Sequence, residues 1–232
     1  MDVRQSLLDR AARRWEIDRK LDRAMRRDEA ERKIGPVITI SRELGSGGAS
    51  VGKMLANQLD LRYYDRELIE KIAERTGSDV EHIKLQESTN RSGFGSMVLG
   101  FIDRRNVQDT VYLRSLIKTL RAIAKEGQAV IIGRGGSCVL EDALRIRFVA
   151  PFEVRVERMA KIRGLKQDEA RQLVLETDHR QTRFLHDFFG CDPNCVQLYD
   201  LIINTANLSL EHAAELVTTR LHQTWHDGED KA

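Results

Sequence analysis

The chain has 232 residues, of which 41% are hydrophobic and 32% are charged, a length and composition that exclude a mini-protein scaffold and a low-complexity chain. Its 38 Lys and Arg residues against 36 Asp and Glu residues leave a net charge of +2, which argues against a protein whose main task is to bind bulk nucleic acid. The longest apolar runs are the size of a strand, the cysteines number only three, and the N-terminus lacks a signal-peptide pattern. We therefore expect a soluble protein of the reducing cytoplasm, with no membrane partner.

The first 33 residues are rich in Arg, Asp and Glu and contain neither Pro nor Gly. Apolar residues at steps of four, from Val3 to Trp15, predict one long helix with a narrow apolar stripe. We favour a solvated helical extension, and a homodimer through this helix is the alternative. The Gly35-Pro36 pair ends the helix, so we predict an extension over 1–33 and a separate domain over 34–232.

The rest of the chain alternates short β-branched runs with stretches of helical spacing. We predict strands at 37–40, 61–64, 129–132, 145–149 and 200–204, and helices at 49–59, 66–75, 78–87, 107–125, 152–162, 167–184 and 209–222. Strands that are almost continuously apolar are typical of a parallel sheet covered by helices on both faces. The expected fold class is therefore α/β, with three layers and a five-stranded parallel sheet.

A glycine-rich loop joins the first strand to the first helix of this domain. Its residues are Gly45, Ser46, Gly47, Gly48, Ala49 and Ser50. In this position, converging backbone N–H groups and a helix N-terminus form a phosphate site, although a plain tight turn is the alternative. The loop is not a dinucleotide fingerprint, because Ser50 replaces the third glycine, nor a usual Walker A loop, because Gly48 stands where the lysine belongs.

Four motifs follow one another along the chain: ISRELGSGG at 40–48, LRYYD at 61–65, IGRG at 132–135 and YDLIINT at 199–205. Together they resemble the cytidylate kinase-like family of P-loop proteins over about 36–221. The resemblance implies a nucleoside monophosphate kinase fold with a mobile, arginine-bearing helical lid. It also implies a phosphotransferase that uses ATP and Mg²⁺ to phosphorylate CMP or a related small nucleotide. The loop 45–50 would then hold ATP, and the Ser50 hydroxyl would lie near Mg²⁺.

The resemblance further implies an acceptor site built from two of these motifs. The arginine that matches Arg134 binds the acceptor phosphate in the family, and Asp65 stands where the acceptor-binding segment begins. Asp65 has a second interpretation, as the N-cap of the helix that follows it. Arg42, at the entrance of the glycine loop, is our hypothesis for the group that replaces the missing lysine at Gly48, with Lys53 as the other candidate.

Five charged residues resemble the lid and the helix that leads into it. Arg155 and Arg158 share one helix face, and Asp178, Arg180 and Arg183 resemble the far side of the lid, where arginines contact donor and acceptor phosphates and an aspartate orients one of them. An ordinary charged helix with local ion pairs is the alternative. Catalytic roles are therefore predicted for Arg42, Arg158, Asp178, Arg180 and Arg183.

Two other function classes are compared with this one. His179, His186, Cys191 and Cys195 lack the paired spacing of a structural zinc site, so a loop with incidental cysteines is favoured. A non-catalytic nucleotide or phosphate sensor on the same fold, with the N-terminal helix as its partner-binding arm, is the alternative to an enzyme. Turnover distinguishes them, because a sensor would bind ATP without transferring its γ-phosphate.

Overall fold

Five parallel strands form one sheet in the spatial order β2-β3-β1-β4-β5. The computed structural model describes residues 35–73 and 107–229. The strands are β1 (Val37–Arg42), β2 (Arg62–Tyr64), β3 (Ala129–Ile132), β4 (Leu144–Val149) and β5 (Leu201–Asn204). The five-stranded parallel sheet predicted from the sequence is confirmed, and each observed strand lies within two residues of its predicted bounds.

Six labelled helices connect or follow the strands. They are α1 (Gly48–Gln58), α2 (Val107–Glu126), α3 (Gly136–Val139), α4 (Phe152–Arg163), α5 (Gln167–Phe189) and α6 (Leu210–Glu229). Residues 66–73 are also helical, and Val196–Leu198 form a 3₁₀ turn. The helical extension predicted over 1–33 and the helix predicted over 78–87 lie outside the described residues. The unit that contains the sheet runs from Pro36 to Ala232.

Helices cover both faces of the sheet at β1, β2 and β3, because the apolar side chains of these strands are divided between two clusters, whereas β4 and β5 contribute to one of them. Val130 and Ile132 of β3 belong to the cluster that includes α1 and α6, whereas Ala129 and Ile131 belong to the cluster that includes α2 and the helical segment 66–73. All four β3 residues are buried. The central strands thus have no solvent-facing side, which explains why their sequences are apolar without alternation.

The helices α4 and α5 form an antiparallel hairpin with an apolar cluster of its own. Val156 and Met159 of α4 pack against Ala170 and Val174 of α5, separately from the two clusters on the sheet. Gly164, with φ of +66°, ends α4 in the left-handed conformation that glycine adopts without strain. The hairpin therefore has a small core of its own, and the C-terminal end of α5, from Phe184 to Phe189, packs in addition on the sheet cluster that includes α2.

The functional end of the sheet is the end at which the parallel strands finish. β1 pairs with β3 on one side and with β4 on the other, so the order of connection reverses at β1. In open α/β sheets, ligands bind outside the carboxyl ends of the strands at such a reversal. Among the described residues, no helix combines the length and apolarity needed to span a bilayer.

Candidate active site

The glycine loop leaves the carboxyl end of β1 and turns directly into α1. Gly45 and Gly47 both have φ of +84°, a conformation that residues with a side chain rarely adopt. Gly45 also has no room for a side chain, since a Cβ there would lie 2.8 Å from the carbonyl oxygen of Arg155. The glycines are thus required by the backbone path and by the close approach of α4.

The N-terminus of α1 is open to an anion. Gly47 is the N-cap, and no side chain caps the helix. The backbone N–H groups of Gly48, Ala49 and Ser50 belong to the first turn and have no partner within the helix. Their donors and the helix dipole fit a phosphate group. The exposed Ser50 side chain can add a hydroxyl ligand for Mg²⁺, an ion that commonly takes few protein ligands and completes its shell with phosphate oxygens and water.

Gly48 occupies the lysine position of a usual loop, and it is packed too tightly for any side chain. A Cβ at this position would lie 2.8 Å from the Cβ of Arg42 and 2.9 Å from the Cβ of Phe148. Phe148 is fully buried, so the wall is rigid. The packing of β1, β4 and α1 therefore leaves no room for a lysine at position 48.

Hydrogen bonds from three neighbouring residues brace the loop. The Ser46 hydroxyl donates to the Glu43 carbonyl at 2.8 Å, and the Thr205 hydroxyl donates to the Ser46 carbonyl at 2.7 Å. Arg158 donates to the Thr205 hydroxyl at 2.9 Å and to its carbonyl at 2.6 Å. Ser46 and Arg158, both predicted site residues, thus hold the loop in shape here, and Thr205 is a bracing residue that the sequence reasoning missed.

Beside the loop lies a cavity of about 180 Å³ that we call the arginine cavity. Four guanidinium groups line it, those of Arg42, Arg66, Arg134 and Arg180. No carboxylate is among the residues from the described part of the chain that line it. A cavity with this charge fits an anionic ligand, and phosphate and carboxylate are the groups whose geometry matches planar guanidinium donors.

Arg134, one of the four arginines, has a side chain that is only 8% exposed. Its guanidinium forms an ion pair with Glu70 and lies 4.6 Å from the ring centroid of Phe184. Burial, followed by the charges of Arg66 and Arg42, lowers the pKa of Arg134 to about 10. Its Nε is buried and has no hydrogen-bond partner within the residues that the structure describes. The structure thus holds this guanidinium at the cavity wall with unused donor capacity.

Arg42 is the last residue of β1, and its side chain extends toward the turn after β3. Its Nη1 lies 3.4 Å from the point where a Cβ on Gly133 would be. Burial is the main cause that lowers the pKa of Arg42, and the charge of Arg66 lowers it further. Lys53, the other candidate for the missing lysine, is exposed on α1, with its Nζ 5.7 Å from the ring centroid of Tyr63. Of the two candidates, Arg42 is the one that lines the arginine cavity.

The predicted lid residues separate into three environments. Asp178 accepts a 2.8 Å hydrogen bond from the buried Arg155, which also pairs with Glu43 at 3.3 Å. Arg180 lines the arginine cavity and donates to neutral oxygens of Glu176 and Thr177 on its own helix. Arg183 is exposed on α5 and lines neither cavity described here. The structure therefore brings Asp178 and Arg180 to the site and leaves Arg183 on the surface.

Asp65 caps a helix. Its Oδ1 accepts a 2.9 Å hydrogen bond from the N–H of Leu68, which lies in the first turn of segment 66–73. This is the capping alternative drawn from the sequence. Asp65 lines neither cavity.

A second cavity, of about 230 Å³, lies between the hairpin and the end of the sheet, and we call it the hairpin cavity. Glu43, Arg147, Asp178 and Asn194 are among the residues that line it, and Arg42 lines both cavities. Arg147, on β4, is a buried arginine that the sequence reasoning missed. Its place in the strand, between Ile146 and Phe148, gave no signal of burial, because this alternation is typical of a solvent-facing position.

The residues considered as a metal site are His179, His186, Cys191 and Cys195. Within residues 35–73 and 107–229, no group of three or more His, Cys, Asp or Glu side chains is placed to hold a metal ion. The three cysteines are free thiols. Burial and a hydrogen bond with Cys191 raise the pKa of the Cys138 thiol far above its usual range.

These features define an α/β protein with a lysine-free glycine loop and a basic cavity at the carboxyl ends of its strands. The model of the cytidylate kinase-like family matches residues 37–207, and the chain belongs to that family. Two curated relatives named cytidylate kinase are each 29% identical: that of Pyrococcus horikoshii covers 78% of this chain and 85% of its own length, and that of Methanopyrus kandleri covers 76% and 88%. A solved structure of an uncharacterized protein from Eubacterium ventriosum matches with a TM-score of 0.65 at 20% identity, over 81% of this chain and 98% of that one, and supports the fold.

Proposed function

We propose that the protein is a phosphotransferase that moves the γ-phosphate of ATP, with Mg²⁺, onto CMP or a related nucleoside monophosphate. Membership of the cytidylate kinase-like family and the two relatives named cytidylate kinase support a nucleotide kinase in general terms. The observation that carries the proposal is the arginine cavity, which borders the glycine loop through Arg42. A donor-phosphate site and an acceptor-phosphate site are the two parts that this chemistry needs.

On the donor side, the free N–H groups of Gly48, Ala49 and Ser50 bind the ATP phosphates. Ser50 supplies a hydroxyl ligand to Mg²⁺, which neutralises phosphate charge when it is bound. Arg42 provides a cation at the entrance of the loop, where no lysine fits. Positioning and charge neutralisation supply most of the acceleration of phosphoryl transfer, so no covalent catalyst is required.

On the acceptor side, Arg134 and Arg180 hold the acceptor phosphate, with Arg42 and Arg66 adding positive charge. One oxygen of this phosphate attacks the γ-phosphorus, the bond to the bridging oxygen breaks, and ADP leaves. The arginines neutralise negative charge on both reacting phosphates, which would otherwise repel each other. Asp65 acts by fixing the start of segment 66–73, whose Glu70 orients Arg134.

The hairpin closes over the reacting groups in this proposal. Arg158 keeps the loop in shape, and Asp178 orients Arg155 between the hairpin and Glu43. The part proposed for Arg183 is limited to the closed hairpin, where this exposed side chain would turn toward the donor phosphates. Closure of such an element excludes water from the transferring phosphate.

The test is ATP turnover with Mg²⁺ against CMP, dCMP, UMP, AMP and GMP, measured by coupled ADP release. We expect one preferred acceptor, and a loss of turnover of about a hundredfold or more in Arg134→Ala, because an acceptor-phosphate contact made by a buried guanidinium is removed. Arg62→Ala is the matched control, since Arg62 pairs with Glu126 and lines neither cavity. Equal turnover in Arg134→Ala and in the wild-type protein would contradict the acceptor assignment.

A nucleotide or phosphate sensor is the second candidate, and the packing of Gly48 is the observation that favours it. A loop with no room for lysine lacks the point charge that usually contacts the β- and γ-phosphates. A sensor would bind ATP measurably and transfer no phosphate to any acceptor. If the protein binds ATP but turns over none of the five acceptors, the sensor proposal would replace the kinase proposal.

A further inference from the structure

The hairpin cavity adjoins the arginine cavity. Ser41, Arg42, Gln181 and Leu185 line both. No residue of the glycine loop 45–50 lines either cavity. A ligand that enters the arginine cavity can therefore extend beneath the hairpin along Arg42 without entering the donor-phosphate loop.

Arg147 presents a buried guanidinium to the hairpin cavity, with its side chain only 9% exposed. Its hydrogen bonds reach neutral oxygens of Ser41, Asn194 and Tyr199 at 3.3 to 3.5 Å. The nearest carboxylate oxygen, on Glu43, lies at 3.6 Å. These contacts are longer than the 2.7–2.9 Å that is usual for charged pairs, so the guanidinium keeps donor capacity for a stronger acceptor.

The carboxylates of this cavity are already engaged elsewhere. Glu43 Oε2 accepts from the N–H of Ala150 at 3.1 Å and pairs with Arg155, and Asp178 also pairs with Arg155. The Arg42 guanidinium forms no ion pair or hydrogen bond with the side chains or backbone that the structure describes. The lining of the hairpin cavity thus carries two cations, Arg42 and Arg147, without a short anionic partner.

We propose that Arg42 and Arg147 form a second anion subsite, and that it takes a second anionic group of the acceptor, a phosphate or a carboxylate. The acceptor assignment rests on the proposed function, with the first phosphate at Arg134. A buried guanidinium surrounded by neutral oxygens gains most from an anion, because charge-assisted hydrogen bonds are roughly twice as strong as neutral ones. The preferred acceptor is accordingly doubly anionic, such as a nucleoside 3′,5′-bisphosphate.

The subsite is tested by titrating the full chain with inorganic phosphate, followed by calorimetry and phosphorus NMR, which need no turnover. With the glycine loop filled by ADP, we expect two bound phosphates in the wild-type protein. Arg147→Met should lose one and keep the other, and Arg134→Met should do the same for the other site. Arg145→Met is the matched control on the same strand, because Arg145 pairs with Asp200 and lines neither cavity.

Asn194→Asp tests the same subsite without removing a buried cation. The new carboxylate would face Arg147, to which the Asn194 Oδ1 is now hydrogen-bonded at 3.3 Å, and would compete with phosphate. We expect the second phosphate to bind about tenfold more weakly in a variant that unfolds at the wild-type temperature. Unchanged phosphate binding in Asn194→Asp and in folded Arg147→Met would overturn the subsite.

Two further arms identify the occupant. If a nonhydrolysable ATP analogue displaces the second phosphate and ADP does not, the subsite belongs to the donor and the acceptor assignment is wrong. If the kinase is active, we expect a bisphosphate acceptor to have a KM about tenfold below that of the monophosphate, and Arg147→Met to remove this difference. An absence of turnover, with the two-phosphate pattern intact, would reject the proposed kinase and leave the anion subsite standing.

Discussion

At the scale of the residue, Arg134 shows several unfavourable features in one side chain. Its φ of +52° lies in the left-handed region, its Nε has no partner in the described part of the chain, and its pKa is lowered to about 10 by burial. Strained or unsatisfied groups of this kind persist at functional sites because the surrounding structure holds them. Because folding lowers this pKa, the charge on Arg134 reduces the free energy of unfolding at every pH below about 10. This cost disappears as the pH rises from about 10 toward the ordinary arginine pKa of 12.5.

We therefore expect Arg134→Met to stabilise the protein while it weakens acceptor binding. Removing an unsatisfied donor and a buried charge should increase the free energy of unfolding by about 1–2 kcal/mol, or about 2–6 °C in Tm. Glu70 keeps Arg66 as a partner at 3.6 Å. Thermal unfolding at pH 7 checks the prediction, with Arg62→Met as the control. A clear fall in Tm would show that the ion pair with Glu70 outweighs the desolvation of the guanidinium.

Gly48 gives a second prediction at this scale, because restoring the usual lysine should fail. Gly48→Lys is expected to destabilise the protein by about 1–3 kcal/mol through overpacking against Arg42 and Phe148, without raising turnover. Gly48→Ala is the matched variant, since it adds the same Cβ without the charge. Denaturant unfolding should show similar losses for both. A Gly48→Lys variant with wild-type stability and higher turnover would mean that Arg42 and Phe148 can move to make room for the side chain.

At the scale of the element, the α4–α5 hairpin is attached to the sheet through Arg155. This buried guanidinium joins Asp178 of α5 to Glu43 beyond β1, and it also donates to the carbonyls of Leu44 and Ala150. The first part of α5 packs with α4 on the hairpin's own apolar cluster, whereas Phe184, Leu185, Phe188 and Phe189 at its C-terminal end pack on a cluster of the sheet. Apolar contacts thus fix the C-terminal end of α5, and the polar contacts of Arg155 hold the rest of the hairpin over the two cavities, an arrangement that suits an element which opens and closes.

We expect Asp178→Asn to loosen the hairpin specifically. The substitution leaves Arg155 with one carboxylate partner instead of two and should increase amide hydrogen exchange within 167–189 several-fold, with little change in the strands. Exchange followed by mass spectrometry makes the comparison. Glu153→Gln, which breaks the surface pair with Arg171, should leave exchange unchanged. If amide exchange in both variants equals that of the wild-type protein, the contacts of Arg155 do not hold the hairpin in place.

The same scale shows what could be predicted from the sequence. The buried strands could be, because runs such as 129–132 are apolar on both faces, and so could the glycine loop between β1 and α1. Arg147 could not, because a charged residue alternating with Ile146 and Phe148 is typical of a solvent-facing strand position. Its burial depends on Asn194 and Tyr199, which are distant in sequence. α5 also exceeds its predicted end at 184, since it continues to Phe189, where Gly190 ends it with φ of +63°.

At the scale of the whole molecule, the candidate site gathers residues that are far apart in sequence around the end of one sheet. The glycine loop follows β1, Arg134 follows β3, Arg147 lies on β4 and Asp178 comes from the hairpin. Every described residue that lines the two cavities falls between Ser41 and Tyr199, and the family match spans 37–207. The described chemistry is therefore contained in the unit that begins at Pro36.

We accordingly expect a fragment of residues 34–232 to retain ATP turnover within about twofold of the full chain, since no cavity residue is removed and loss of one contact typically costs more than this. Turnover against the preferred acceptor, with the oligomeric state measured by light scattering, provides the test. Retained turnover in a fragment that has changed from dimer to monomer would limit the role of residues 1–33 to assembly. If turnover is lost while thermal unfolding remains cooperative, the first 33 residues complete the active unit, and the enzyme must then be studied as its assembly.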